Sequence, residues 1–250
     1  MIRHAKEQDK RQIADLWETV FCDTRREINL YLDRFLNCII VCEQDGQIIG
    51  MLSLLPITCG DIQVKYIYAV AVHPSYRLRG IASALLEEAE KEERVLVLVP
   101  AEKSLFEFYR KRGFSEMYCT SRKIFFAHEL PKSAALPQRI TPERLLRLRR
   151  KAFEKYDFLE WNENCLGYIS EIYDNEIYAG EDFYAVCAVC DDTVYIKELC
   201  GEDIAAAVSV LNNIFNKNKY VITLPEKSTE PSAVQKGLKL NNPYFNLAMD

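Results

Sequence analysis

The residues with the clearest chemical potential run from position 73 to 82, His73-Pro74-Ser75-Tyr76-Arg77-Leu78-Arg79-Gly80-Ile81-Ala82. They form a short polar turn between a β-branched, aromatic-rich run, Val64 to Val72, and a strongly helical one opening at Ile81. A helix N-terminus presents backbone N–H groups that lack a helical acceptor, together with the positive end of the helix dipole, so it attracts anions. Gly80 lets the backbone approach a bound group closely, Ala82 keeps the first turn slim, and Arg77 and Arg79 add positive charge. Strand, Arg77-x-x-Gly80-x-Ala82, helix is therefore a pattern that can cradle a pyrophosphate. A P-loop is excluded because no Gly-Lys-Ser/Thr ending follows, and a dinucleotide fingerprint needs three glycines where one stands here. Taken alone, the pattern also describes an ordinary turn with two solvated arginines.

Other reactive residues are less suggestive. The chain has nine cysteines, and its one CxxC, Cys187-Ala188-Val189-Cys190, ends the strand-like run FYAVCAVC. Residues three apart on a strand point to opposite faces, so those thiols cannot grip one metal together. The three histidines, His4, His73 and His128, have no ligand-like spacing, and no metal is expected. The cysteines read as small buried hydrophobes in a reducing compartment. His73, before a proline, reads as a helix-entry residue. Tyr109, between Phe106 and Phe114, has a core aromatic as its plainest reading.

The elements that must position the loop are legible around it. Residues 6–20 place Ile13, Leu16, Trp17 and Val20 at helical spacing, and INLYLDRFL at 28–36 continues as a second helix. CIIVCEQDGQIIGMLSLLP predicts two strands about Gln44-Asp45-Gly46, where Asp-Gly supplies the positive φ of a tight hairpin. Val64 to Val72 predicts a central strand buried on both faces. The helix from Ile81 carries an apolar stripe at 81, 82, 85, 86 and 89; a short strand (94–100) and a helix (104–112) ended by Gly113 follow. Phe114 to Cys119 and Arg122 to His128 predict a hairpin turning at Thr120-Ser121.

Three of the nine prolines, Pro131, Pro137 and Pro142, mark a connection between two lobes, 1–130 and 141–250. The second lobe reads as helices near 142–154 and 163–174, a hairpin turning at Asp191-Asp192, a helix from Asp203, and strands at YVITLP and PYFNLAMD, the last ending on the carboxylates of Asp250. This order echoes the first lobe, so a degenerate structural duplication is expected. The expected fold class is α/β (α+β), a mixed central sheet flanked by helices.

The segment YAVAVHPSYRLRGIASALLEEAEK resembles the signature region of the GNAT acetyltransferase superfamily, and LVPAEKSLFEFYRKRGF resembles its later signature. The resemblance covers residues 1–128, and LVPA is similar to the tandem-GNAT proteins related to the Eis aminoglycoside acetyltransferases. It implies acetyl-coenzyme A as cosubstrate. Backbone groups of Val70, Ala71 and Val72 would hold the pantetheine arm where the fourth and fifth strands splay. Arg77, Leu78, Arg79, Gly80, Ile81 and Ala82 would hold the pyrophosphate, and a β-bulge near the end of the fourth strand would aim an N–H at the thioester carbonyl. Tyr109 would protonate the departing thiolate. The sequence departs from the family where a glutamate base is often found, here Lys65-Tyr66-Ile67-Tyr68, and carries Glu102 where an asparagine is common. In the second lobe Cys200-Gly201-Glu202-Asp203 puts two carboxylates where phosphate would sit, so a silent GNAT-like lobe without a coenzyme A loop is expected, one that completes the acceptor pocket.

The expected reaction is direct transfer of acetyl to a primary amine of a small molecule or peptide, since no Ser/His/Asp elbow or Cys/His pair argues for a covalent route. The alternative is a non-catalytic acyl-coenzyme A binding or sensor protein. The net charge, 32 minus 37 or −5, is unlike the basic footprint of a nucleic-acid binder. No stretch approaches 18 apolar residues and the N-terminus lacks a signal-peptide core, so no membrane span and a cytoplasmic residence are expected.

Overall fold

The computed structural model describes residues 1–225, 231–241 and 243–246. Contacts divide the chain into two units, Met1–Glu116 with Ala233–Lys239, and Met117–Ser232 with Leu240–Asp250. The division falls ahead of the proline-rich stretch where composition placed it. The physical reason is the segment after Phe114. It does not fold back at Thr120-Ser121, a pair with neither glycine nor positive φ, but runs on as one strand, Ser115–Phe126.

The first unit comprises β1 (Ile2–His4), α1 (Lys10–Phe21), α2 (Arg25–Phe35), β2 (Ile39–Gln44), β3 (Gln47–Cys59), β4 (Ile62–Val72), α3 (Ile81–Glu92), β5 (Leu96–Leu98) and α4 (Ser104–Arg110). The long strand just described is β6. Then come β7 (Gln138–Arg139), α5 (Pro142–Phe153), β8 (Asp157–Phe158), β9 (Glu160–Trp161), α6 (Glu163–Ile172), β10 (Ile177–Ala179), β11 (Phe183–Cys190), β12 (Thr193–Gly201), α7 (Ile204–Phe215), β13 (Lys219–Pro225), β14 (Pro231–Lys236) and β15 (Pro243–Tyr244). Of the predicted final strand only Pro243 and Tyr244 are seen as such; residues 247–250, with the Asp250 carboxylates, lie outside the described residues.

The strand order is β1-β2-β3-β4-β5-β14 in the first unit and β7-β10-β11-β12-β13-β6 in the second. Both sheets are antiparallel except for one parallel pair at the same place, β4 with β5 and β12 with β13. The two halves thus repeat one plan. The last strand of each sheet comes from the opposite half of the sequence, which no local signal announced.

Local chemistry explains the well-read elements. Asp45 (φ 51°) and Gly46 (φ 76°) turn the β2–β3 hairpin through the left-handed region, as a two-residue loop requires. Thr24 and Glu27 form a reciprocal capping box on α2, and Thr141 caps α5 ahead of Pro142. Ile13, Trp17, Tyr31 and Phe35 of α1 and α2 are at most 2% exposed. Leu85, Leu86 and Ala89 of α3 pack with Leu52, Leu54, Ile67 and Leu96 of the sheet. Each fully buried leucine there contributes about 1.5–3 kcal/mol. Ser53 of β3, between those two leucines, accepts from Tyr31 Oη at 2.6 Å, so β3 is covered on both faces. That is why its sequence is apolar without alternation.

Candidate active site

The central feature is where β4 leaves β5. The two pair in parallel only at Lys65↔Leu96 and Tyr66↔Val97. Beyond that β4 stays with β3 as far as Val72↔Gly50, and β5 stays with β14 as far as Leu98↔Val234. Val70, Ala71 and Val72 therefore lie on a stretch of β4 with no β5 partner, and Ala71 is wholly buried while its two neighbours are partly so. The parting begins at a bulge. Tyr68 faces Ser53 and Ala71 faces Met51, so β4 holds one residue more than β3, and Ala69 sits at φ 51°. An alanine in that region carries about 1–2 kcal/mol of backbone strain. The bulge was expected from resemblance, but nothing in the sequence singled out Ala69.

β4 then delivers the chain to the start of α3. His73 Nδ1 accepts from Ser75 N at 3.3 Å and turns Pro74–Tyr76 into a single 3₁₀ turn, so His73 serves chain entry. Leu78 (φ 63°) and Gly80 (φ 80°) both lie in the left-handed region, which folds the loop over on itself. Gly80 is the N-cap residue but has no side chain to cap with, so α3 starts without a side-chain hydrogen bond to its first N–H groups. A Cβ on Gly80 would meet nothing within 4 Å, so the space beside those groups is open. Arg77 Nε donates to Val72 O at 3.3 Å. Arg79 donates to Ser75 O at 3.0 Å and lies over the Tyr76 ring at 5.0 Å. Both guanidiniums are exposed, and Leu78 is fully exposed. Residues 77–82 are thus brought together as one largely exposed, cationic, donor-rich turn.

Two contributors escaped sequence reasoning. Gly50 of β3 lies under this turn: a Cβ there would stand 2.7 Å from Ile81 Cγ2, so only glycine lets α3 start so close to the sheet. Its signal was a lone glycine within an apolar strand. Arg112 closes the other side. Its Nε and Nη2 donate to Ser83 Oγ in the first turn of α3, Nη1 donates to Phe108 O at 2.7 Å, and the guanidinium lies 3.5 Å from the Phe108 ring centroid. It is a third positive charge on the turn, and nothing in its sequence spacing announced that.

Tyr109 lies on α4 within the same packed cluster as α3, β4 and β5, in edge contact with Phe108 (5.1 Å) and Phe114 (5.7 Å). It is 5% exposed, and no hydrogen-bond partner for its hydroxyl is present among the described residues. Burial pushes the phenol up to about 12, against a small opposing effect of Arg112, so it is protonated throughout the neutral range. Glu102 belongs to the entry of α4, where Oε1 accepts from Ser104 Oγ at 2.8 Å. At the position of the missing glutamate stand the rings of Tyr66 and Tyr68, the latter against Trp17 (5.7 Å) and Tyr31 (5.4 Å).

Elsewhere, Cys187 is buried and Cys190 exposed, which sets the CxxC thiols in different surroundings. Among the described residues no helix is long and apolar enough to cross a membrane. In the second unit, Asp203 Oδ1 accepts from Ala206 N at 3.0 Å, so the start of α7 is capped by the chain's own carboxylate.

Residues 1–117 match the family model described as an acetyltransferase (GNAT) domain. No curated protein matches the sequence. Among solved structures, a GCN5-related N-acetyltransferase from Anabaena variabilis aligns with a TM-score of 0.72 at 18% identity, covering 94% of this chain and 71% of that one. A GCN5-related N-acetyltransferase from Kribbella flavida aligns at 0.68 and 18% identity, covering 94% and 69%. Eis1 from Mycobacterium abscessus aligns at 0.65 and 14% identity, covering 97% and 72%. At these identities the likeness is one of fold, and it extends over both units.

Proposed function

We propose that this chain, whose residues 1–117 match the acetyltransferase (GNAT) domain model, is an acyltransferase that moves acetyl from acetyl-coenzyme A to a primary amine. The observation that carries the reading is the slot: β4 bulges at Ala69, parts from β5, and leads straight to a helix start whose N–H groups are uncapped and face open space. The free edge of Val70–Val72 suits an extended amide-bearing arm, which would hydrogen-bond there as an added strand does. The backbone of 78–82, with Arg77, Arg79 and Arg112, suits the pyrophosphate.

In this reading the amine nitrogen attacks the thioester carbonyl carbon, the C–S bond breaks, and the electron pair leaves on sulfur. Tyr109 gives its proton to that sulfur and regains one from solvent. The attacking nitrogen loses its proton to water, because residues 65–68 bring no carboxylate to take it. Backbone N–H groups at the Ala69–Val70 bulge are the candidates to steady the carbonyl oxygen.

A second reading, an acyl-coenzyme A binding protein without turnover, draws on the burial of Tyr109 between two phenylalanines. Following free-thiol release from acetyl-coenzyme A across a panel of small amines and amine-bearing peptides separates the two. Amine-dependent release that disappears in Gly80→Glu supports transfer. Tight binding with no release on any amine supports the second reading.

A further inference from the structure

We propose that the second unit holds a binding site of its own, a slot between β12 and β13 that takes an uncharged, mainly aromatic small molecule. The strands pair in parallel from Thr193↔Lys219 to Ile196↔Ile222 and then part. Each stays with its outer neighbour, β12 with β11 as far as Gly201↔Phe183 and β13 with β6 as far as Pro225↔Thr120. The parting begins at a bulge, where Ile196 faces Cys187, Glu198 faces Val186, and Lys197 is the extra residue. This is the plan of β4 and β5 repeated. The gap holds a cavity of about 590 Å³, walled by Cys119 of β6, Phe153 of α5, Cys200 of β12, Ile204 of α7, Leu224 of β13 and Tyr244 of β15. That volume is typical of small-molecule sites.

Charge decides what fits. The turn before α7 already carries Asp203 as its cap, with Glu202 beside it, so a phosphate would meet carboxylates instead of free N–H groups. None of the described residues lining the cavity is an Asp, Glu, Lys, Arg or His. Arg149 and Glu198 of the same unit are fully buried and joined at 2.8 and 3.2 Å, and Glu198 also accepts from Tyr184 (3.0 Å) and Tyr244 (3.4 Å), while Arg149 Nη1 has no partner among the described residues. A charged ligand would lose its hydration and meet no counter-charge among the described residues that line the cavity.

The walls select flat, apolar groups. Phe153 and Tyr244 stack with ring centroids 3.8 Å apart, Tyr156 meets Tyr244 at 5.7 Å, and Tyr118 meets Phe245 at 5.5 Å. Aromatic contacts of this kind favour a ligand ring beyond the area they bury. Tyr156 and Asn241 supply hydrogen-bonding groups that can orient it. This site is independent of acetyl transfer in the first unit, and either can fail without the other.

The probe is the neutral fluorophore 6-propionyl-2-(dimethylamino)naphthalene, titrated into the full chain. We expect saturable, blue-shifted emission at one site per chain, unchanged by saturating coenzyme A and unchanged in Gly80→Glu. Cys200→Trp, which fills the slot, and Leu224→Glu, which charges its wall, should each weaken binding about tenfold or more. Because those variants can fail to fold, alkylation by N-ethylmaleimide on the unaltered protein gives a second readout. Bound probe should slow reaction at both Cys119 and Cys200 and leave exposed Cys22 unchanged. Absent saturation, competition by coenzyme A, or unprotected Cys119 and Cys200 would each overturn the site.

Discussion

The first hydrogen bond of α3 runs from Ala84 N to Gly80 O at 3.0 Å, so the N–H groups of Ile81, Ala82 and Ser83 have no acceptor within the helix. With Gly80 at φ 80° and free space where its Cβ would be, they form the donor set of the loop. Substitution at 80 therefore separates space and charge from backbone strain. Gly80→Ala should lower stability by about 1 kcal/mol through its positive φ and leave coenzyme A affinity within a few fold. Gly80→Glu should weaken coenzyme A at least about tenfold by placing a carboxylate beside the pyrophosphate. Calorimetric titration of both folded variants is the measurement, and equal affinities would remove this loop from coenzyme A binding.

Tyr109→Phe should lower turnover roughly 10²-fold with little change in coenzyme A affinity, the mark of a proton donor. Among the described residues the hydroxyl has no partner to lose, so the melting temperature should barely move. A variant with wild-type turnover would make Tyr109 a packing residue.

The raised Tyr109 phenol also has a pH signature. Below about pH 10 it is neutral in both folded and unfolded chains and contributes no pH dependence. Between about 10 and about 12 the unfolded chain ionises while the folded one does not, so stability falls as pH rises. Urea midpoints at pH 9 and 11 should differ less in Tyr109→Phe than in wild type. Equal slopes would show that its burial does not govern this window.

Ala69 should tolerate only smaller side chains. Ala69→Gly relieves the positive φ and should preserve or raise stability, whereas Ala69→Val should cost about 1–3 kcal/mol, since a β-branched residue resists that region. Urea unfolding checks both. A neutral Ala69→Val would mean the bulge can move along β4.

Arg149 and Glu198 are both fully buried. Burial alone would lower the Arg149 pKa, but the charge and hydrogen bond of Glu198 together with the fields of Tyr184 and Tyr244 outweigh it and hold the guanidinium ionised. Arg149→Met or Glu198→Leu alone should cost about 3–5 kcal/mol, and the double variant much less, because only the single changes strand a charge. Additive losses in urea unfolding would argue against a coupled pair.

Much of the fold was legible because its signals are local. Asp45-Gly46 turns a hairpin through positive φ, Thr24-x-x-Glu27 and Thr141-Pro142 start helices, and Gly113 (φ 84°) ends one, each within a few residues of the feature it specifies. The loop 77–82 belongs to this class, because a helix start declares its donors wherever it occurs.

What tertiary structure alone decided depends on residues far apart in the chain. Thr120-Ser121 had no reason to stay straight until β13 paired alongside it, and Pro231–Lys236 had no reason to be a strand of the first sheet until β5 stood beside it. The strain at Ala69 exists because β3 holds one residue fewer than β4 between fixed pairs, and Arg112 reaches Ser83 only when α4 packs beside α3. Composition and periodicity specify what each segment can become. Which strand meets which edge, and hence where two strands part to leave a slot, is settled by pairing across the whole chain.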